Sequence, residues 1–339
     1  MPSTLSTRPL GTHGPLVTSI GYGMMGLSAF YGPHLPDTQR LAFLDKLYAA
    51  GQRFWDTSDI YGDSEDLLGT WFSANSEKRE DIILATKFGN LGAGVARTDP
   101  KYVLQACDRS LKRLKTAYID LYYVHRADPE VPIEETVRAM EELRRQGKIR
   151  FLGLSEVSAR TLRRAHAVTP ITSVQVEYSP FALEIESTET DLLATCKELG
   201  VAIVAYSPLG RGFLTGALRN IDDLDPDDFR RKVPRYFPEN FSKNIELVKA
   251  LQRVAERKGC SPGQLVLAWL LAQWEMVIPI PGTTRWQNYE ENMASLNVSL
   301  GEDEVREIRG IIEGADVVGA RFPEAWTKHL FVDTVPLKE

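Results

Sequence analysis

Hydrophobic and polar positions along the chain alternate between two kinds of run. Short stretches that are apolar nearly throughout occupy 19–21, 53–56, 81–87, 119–125, 150–154, 173–177, 201–206 and 277–279. Runs of this length and composition predict β-strands. Between them lie longer stretches with apolar residues on one helical stripe, such as Ile133, Val137, Met140 and Leu143. That spacing predicts helices over 37–50, 64–74, 99–115, 132–146, 158–168, 188–199, 241–257 and 286–296, with a further one opening at Ser261-Pro262. Asp99-Pro100 reads as a cap and first turn, and Gly147 and Gly200 as stops. Strands that are apolar on both faces imply a parallel sheet covered by helices. Eight such units favour a closed barrel over an open sheet. The fold class expected is therefore α/β, a (β/α)8 or TIM barrel. It would form one domain over 1–339, with a core of about 10–315 and a tail over 316–339. A long loop rich in Asp, Pro and Arg fills 209–240, and loops of that length are usually functional. The tail is irregular and aromatic, with Phe322, Trp326 and Phe331.

Composition narrows the function. A chain of 339 residues that is 43% hydrophobic and 25% charged is that of a globular protein with a large core. A net charge of −6 argues against a nucleic-acid partner or an anionic membrane surface. An anionic ligand would need a local cluster working against the global field. The three cysteines, Cys107, Cys196 and Cys260, are widely spaced, which predicts free thiols on helices in a reducing compartment. Met1–Thr4 opens no secretory leader and no run approaches the ~18 apolar residues of a membrane span, so the expected location is cytoplasmic. The five histidines lack metal-ligand spacing, so no metal is expected, and there is no G-x-S-x-G elbow.

Active sites of parallel barrels lie at the C-terminal ends of the strands. The reactive residues at or just past those ends are Asp56, Tyr61, Lys87, His125, Ser155, Gln175, Tyr206 and Gly282. Each has a plain reading by itself: Asp56 as a helix cap, Lys87 as a surface charge, His125 as a core histidine. Together the first set is coherent chemistry. A phenol with a pKa of about 10 is a poor acid at neutral pH. A nearby ammonium lowers that pKa, a carboxylate fixes the ammonium, and a histidine orients a carbonyl oxygen. Gly21-Tyr22-Gly23-Met24-Met25-Gly26 matches a dinucleotide fingerprint literally, but Phe30-Tyr31-Gly32-Pro33 follows where a helix should open. Its glycines are read instead as letting the first loop, with Gly23 and Met24, approach a cofactor closely. Phe30, Tyr31, Phe88 and Trp326 either line a substrate pocket or pack the loops.

At these positions the sequence resembles the aldo-keto reductase superfamily. The motifs are Asp56-Thr57-Ser58-Asp59-Ile60-Tyr61-Gly62, Ala85-Thr86-Lys87, Asp120-Leu121-Tyr122-Tyr123-Val124-His125-Arg126, Gly153-Leu154-Ser155-Glu156 and Gln175-Val176-Glu177-Tyr178-Ser179. They continue, in family order, with Tyr206-Ser207-Pro208-Leu209-Gly210-Arg211-Gly212, Ile280-Pro281-Gly282-Thr283-Thr284-Arg285 and Glu290-Glu291-Asn292. The loop wording is most similar to microbial and plant aldehyde reductases related to pyridoxal reductases. The resemblance implies NADPH-dependent reduction of an aldehyde or ketone, with a catalytic tetrad of Asp56, Tyr61, Lys87 and His125. Tyr61 would be the acid and His125 the carbonyl orienter. It implies a nicotinamide carboxamide on Ser155 and Gln175 and a ring stacked on Tyr206. The pyrophosphate would meet Ser207, Leu209 and Gly210, and the adenosine end Gly282, Thr284, Arg285, Glu291 and Asn292. Two positions depart from the pattern. Glu156 stands where many relatives have Asn, although its own branch often has Glu, and Asn288 where the family usually has a phosphate-gripping Arg or Gln. Arg285 is the candidate replacement, because a guanidinium grips phosphate through parallel hydrogen bonds. Two other readings use the same residues: a cofactor-sensing regulatory subunit, like potassium-channel β subunits, and a lyase that forms a Schiff base on Lys87.

Overall fold

The computed structural model describes residues 5–31 and 33–338; the start read at Met1–Thr4, the loop residue Gly32 and the terminal Glu339 lie outside them. The chain opens with a hairpin of β1 (Thr7–Pro9) and β2 (Leu16–Thr18). Eight strands then form one parallel sheet: β3 (Tyr22–Gly23), β4 (Phe54–Asp56), β5 (Ile83–Phe88), β6 (Ile119–Val124), β7 (Ile149–Ser155), β8 (Ser173–Glu177), β9 (Ala202–Tyr206) and β10 (Val277–Pro279). Each pairs with its neighbours in chain order, as βαβ crossovers require. The ends meet: Gly21 N–H donates to the Pro279 carbonyl at 2.9 Å and Gly23 N–H to that of Pro281 at 3.3 Å. The seam explains two glycines. A Cβ on Gly21 would lie 2.6 Å from the Phe54 ring, and one on Gly23 would lie 2.8 Å from the Ile280 carbonyl oxygen.

Successive residues of a strand face opposite sides, and the core divides accordingly. Trp55, Leu84, Tyr122, Leu152, Leu154, Val174, Val176, Ile203 and Ala205 face outward and join the large core under the helices. Phe54, Ala85, Leu121, Tyr123, Ala202, Val204 and Ile278 face inward and form a second core that fills the barrel. Leu10 and Val17 belong to the inner core, so the hairpin plugs the end where the strands start. The same alternation carries Asp56, Lys87, Ser155, Gln175 and Tyr206 onto the inner face at the opposite end.

Several expected bounds shift for local reasons. The first barrel strand lies at Tyr22–Gly23, just beyond the predicted 19–21. Met25–Ser28 forms one helical turn where a loop was expected, although the chain then leaves the helix at once. The helix expected from 188 starts at Leu192, because Thr190 donates its hydroxyl to the Glu184 carbonyl at 2.5 Å and its N–H to Ser187 Oγ at 3.2 Å, holding a turn. A helix over Glu302–Glu313 was not anticipated. The segment read as a long loop is a series of 3-10 turns at Gly210–Thr215, Ile221–Asp223, Phe229–Lys232 and Pro234–Tyr236. The tail has one helical turn at Glu324–Thr327 and rejoins the barrel where Val332 bridges Val157. All three cysteines are free, with Cys260 between helices rather than on one. Among the described residues, no helix is long and apolar enough to cross a membrane and no cluster has the make-up of a metal site.

Candidate active site

Asp56 ends β4, Lys87 lies one residue before the end of β5, and His125 directly follows β6. Being on the inner face, they converge. The Lys87 ammonium donates to Asp56 Oδ1 at 2.5 Å and to the Thr57 carbonyl at 2.6 Å, and Lys87 is fully buried. Gln175 donates its amide nitrogen to the other Asp56 oxygen at 2.8 Å. Tyr61, on the loop after β4, places its ring centroid 5.0 Å from the Lys87 nitrogen and 5.8 Å from the His125 ring.

The electrostatics follow from burial. Burial raises the Asp56 carboxyl, despite Lys87 and Gln175. Burial works to deprotonate Lys87, but Asp56 and Tyr61 outweigh it and hold the ammonium above its ordinary range. Burial also raises the Tyr61 phenol; the Lys87 ammonium pulls it down, as the sequence suggested, but burial wins. Tyr61 is therefore a protonated phenol beside a fixed cation. Burial, with Arg126 and Lys87, holds His125 well below its usual range, so its imidazole is neutral.

The sequence reading passed over two contacts of His125. Ser58 Oγ lies 3.0 Å from His125 Nδ1 and receives the Ile60 N–H at 3.5 Å. Arg126 donates to the His125 carbonyl at 2.7 Å and to Ser155 Oγ at 3.2 Å. Both residues were inside quoted motifs, yet nothing in one dimension marks a serine as the partner of a histidine 67 positions away.

These groups lie in a cavity of about 1030 Å³ at the C-terminal ends of the strands. Its lining includes Asp56, Tyr61 and His125, and Gly23, Met24, Ser155, Gln175, Tyr206, Ser207 and Leu209. It continues to Gly282, Thr284, Arg285, Asn288, Glu291 and Asn292. Lys87 and Gly210 are the expected site residues that do not line it. Lys87 sits behind Asp56. Gly210 is buried beneath the loop, where a Cβ would lie 2.8 Å from the Phe181 ring and its carbonyl accepts from Tyr236. Gly282 permits a close crossing, since a Cβ there would meet the Gly23 carbonyl oxygen at 2.5 Å. Arg285 is exposed and, among the described residues, has no carboxylate partner. Glu291 is engaged by Ser261 Oγ at 2.6 Å.

Aromatic rings line the cavity beside Tyr61. Phe30, Tyr31 and Trp326 line the cavity, as do Phe229 and Phe322. Phe30 stands edge-on to Tyr61 and to Phe229, and Phe229 stacks on Trp326 at 5.4 Å. Phe88 does not join them: it is fully buried and stacks on Tyr122 at 4.7 Å, because its strand position faces outward.

Glu156 resolves one departure from the family pattern. It adopts a left-handed conformation, φ 52°, that asparagine tolerates better than glutamate. Its carboxylate is fully buried and gripped by both terminal nitrogens of Arg321, at 2.8 and 2.9 Å. Burial opposes its ionisation, but Arg321, with Arg126 and Tyr206, brings the carboxyl down to about 2. Removing one partner of such a buried pair costs roughly 3–5 kcal/mol. Arg321 lies in the tail, 165 residues from its partner.

Comparisons with known proteins identify the family. Residues 19–313 match the model of the aldo/keto reductase family. The chain is 49% identical over 322 residues to aldo-keto reductase str7 of Strobilurus tenacellus, covering 94% of this chain and 95% of that one. It is 47% identical over 341 residues to aldo-keto reductase yakc [NADP(+)] of Schizosaccharomyces pombe, covering 98% and 99%. Among solved structures, a thermostable aldo-keto reductase, Tm1743, in complex with the inhibitor epalrestat superposes with a TM-score of 0.74. It is 29% identical, with 91% of this chain and 100% of that one covered.

Proposed function

The chain belongs to the aldo/keto reductase family, and on that premise we propose that it is an NADPH-dependent reductase of aldehydes or ketones with Tyr61 as the proton donor. The observation that carries the reading is the Lys87–Asp56 pair at 2.5 Å, buried beneath a protonated Tyr61 that opens into the cavity. When bound, the reduced nicotinamide supplies a hydride to the carbonyl carbon. The residues of this chain do the rest. His125, neutral and 5.8 Å ring to ring from Tyr61, donates to the carbonyl oxygen and orients it. Tyr61 passes its phenolic proton to that oxygen as negative charge builds there, and Lys87 stabilises the phenolate left behind. Asp56 keeps Lys87 charged and in place.

The lining residues suit a dinucleotide. The cavity runs without a break from the tetrad to Arg285 and Asn292, and Gly23 and Gly282 leave backbone rather than side chains along it. Tyr206 offers the nicotinamide a ring to lie on. Ser155 and Gln175 offer polar groups, with Gln175 acting through its oxygen because its nitrogen is committed to Asp56. The exposed Arg285 is the group for a 2′-phosphate. The NADP(+) in the name of the fission-yeast relative supports that choice. The lyase reading is weakened by the same pair: a lysine that is fully buried and held protonated by Asp56 is a poor Schiff-base nucleophile.

The test is absorbance at the reduced-nicotinamide band with NADPH and a panel of aldehydes including pyridoxal and 4-nitrobenzaldehyde. Aldehyde-dependent loss of signal is expected. Tyr61→Phe is expected to lower kcat by roughly a thousandfold, in the range of general acid–base contributions, with NADPH affinity unchanged. Full activity in Tyr61→Phe would exclude it as the acid.

A further inference from the structure

We propose that Glu156 and Arg321 form a clasp on the Tyr206 ring, so that the nicotinamide seat and the C-terminal wall of the substrate cavity are positioned as one unit. The inference rests on the reading of Tyr206 as the platform for the nicotinamide.

The clasp is assembled from three distant parts of the chain. Glu156 directly follows β7 and holds a strained left-handed backbone that aims its carboxylate inward. Tyr206 ends β9. Its hydroxyl donates to Glu156 Oε1 at 2.7 Å and accepts from Arg321 Nη1 at 3.0 Å, which pins the tip of the ring. A ring used as a stacking platform needs this, because a tyrosine held only by its Cβ can turn about two bonds.

Arg321 then passes the constraint outward. Its carbonyl accepts from Arg211 Nη1 at 2.8 Å, and the other terminal nitrogen of Arg211 meets Glu177 at 3.2 Å. Glu156, Glu177, Arg211 and Arg321 are all nearly buried and balance in charge, two against two. The residue after Arg321 is Phe322, which stacks on Trp326, and both line the cavity. Beside the backbone bridge of Val332 to Val157, tail and barrel thus also meet at a charged, directional contact. A buried bidentate pair has one good geometry, which a hydrophobic contact of the same area lacks. Asparagine at position 156 lacks both the reach and the charge to hold Arg321 in this way. The departure from the family pattern and the buried arginine of the tail are two halves of one device.

Three variants test it: Glu156→Gln, Arg321→Lys and Tyr206→Phe. For each, NADPH binding is titrated by calorimetry, the KM for 4-nitrobenzaldehyde is measured at saturating NADPH, and the unfolding temperature is recorded. Glu156→Gln is expected to weaken NADPH binding about tenfold and to raise the aldehyde KM severalfold. Arg321→Lys keeps the charge but loses the fork, and should fall between wild type and Glu156→Gln on both measures. Tyr206→Phe frees the ring but leaves the pair, so NADPH binding should weaken as in Glu156→Gln while the aldehyde KM rises less than in that variant. That split is one a purely structural role would not produce. A lower unfolding temperature in Glu156→Gln with wild-type NADPH affinity and KM would overturn the clasp. If Glu156→Gln does not fold, wild-type values in the other two variants overturn it equally. Failure of the underlying reading looks different: NADPH would not bind the wild-type chain, or would bind Tyr206→Ala as well as wild type, and the platform and the clasp would fall together.

Discussion

Ser58 shows how the role proposed for His125 depends on a single neighbouring side chain. A neutral histidine carries its proton on one nitrogen, and a carbonyl can be oriented only by the nitrogen that carries it. The proposed role of His125 requires the Ser58 hydroxyl, 3.0 Å from Nδ1 and 3.3 Å from Asp59 Oδ1, to donate to Nδ1, which leaves the imidazole proton on Nε2. Ser58→Ala is expected to lower kcat about fivefold, or ~1 kcal/mol for one hydrogen bond. The ¹⁵N spectrum of His125 should show a mixture of tautomers in place of one. An unchanged spectrum would remove Ser58 from that role. Its neighbour Asp59 predicts a pH effect. Burial, helped by Glu65, pushes the Asp59 carboxyl from 3.8 up to about 7, against Ser58, Arg109 and Arg113. The folded state then binds this proton more tightly than the unfolded one. Its contribution to stability is full at low pH and is lost as pH rises from about 3.8 to about 7. Asp59→Asn keeps the neutral form at every pH. Its unfolding temperature relative to wild type should climb through that window and level off above it. A pH-independent difference in thermal melts would count against the shift.

At the scale of elements, the strand alternation allots each position to the filled barrel or to the helical layer. Gly153 on β7 shows how closely the inner layer is filled, because a Cβ there would sit 2.4 Å from the Tyr123 ring on the adjacent strand. Tyr123 is tied to Ser173 at 2.8 Å and cannot give way freely. Gly153→Ala should therefore cost about 1–3 kcal/mol, the usual penalty for overpacking, read as a lower denaturant midpoint at unchanged slope. No such loss would mean that the inner layer is looser than it looks. The strands were legible in the sequence, since the runs 119–125 and 201–206 announce them by themselves, but runs that are apolar on both faces do not say which face is the inner one. The hairpin over β1 and β2 was not, because each strand is three residues long and gains its meaning only by delivering Leu10 and Val17 into the barrel.

For the whole molecule, a net charge of −6 sets a field that repels an anionic cofactor. Binding then depends on the local cation, and Arg285 is exposed and lines the cavity. Arg285→Ala is expected to weaken NADPH binding about tenfold, on the order of one charge-assisted hydrogen bond, and to leave NADH binding near its wild-type value. Added salt should weaken NADPH binding to the wild type more than to the variant, since it screens an exposed charge. Equal losses for both cofactors, measured by the same titration, would move the 2′-phosphate contact elsewhere.

Periodicity alone indicated eight parallel strands covered by helices and favoured a closed barrel over an open sheet; the seam between Gly21 and Pro279 closes it. Motif order along the chain put Asp56, Lys87 and His125 at strand ends on one rim, where they converge; Tyr61 reaches them from the loop after β4, and the catalytic role of the four is our proposal. The tertiary structure decided the rest. Burial reversed the net shift expected for Tyr61, which depends on surroundings that no run of neighbours specifies. It turned Phe88 away from the cavity and joined Ser58 to His125. It also brought Arg321 across 165 positions to Glu156, a contact between two segments that have no periodicity in common. Sequence patterns report where strands and helices run; which face is inner and which distant residue meets it there are settled only when the chain has closed.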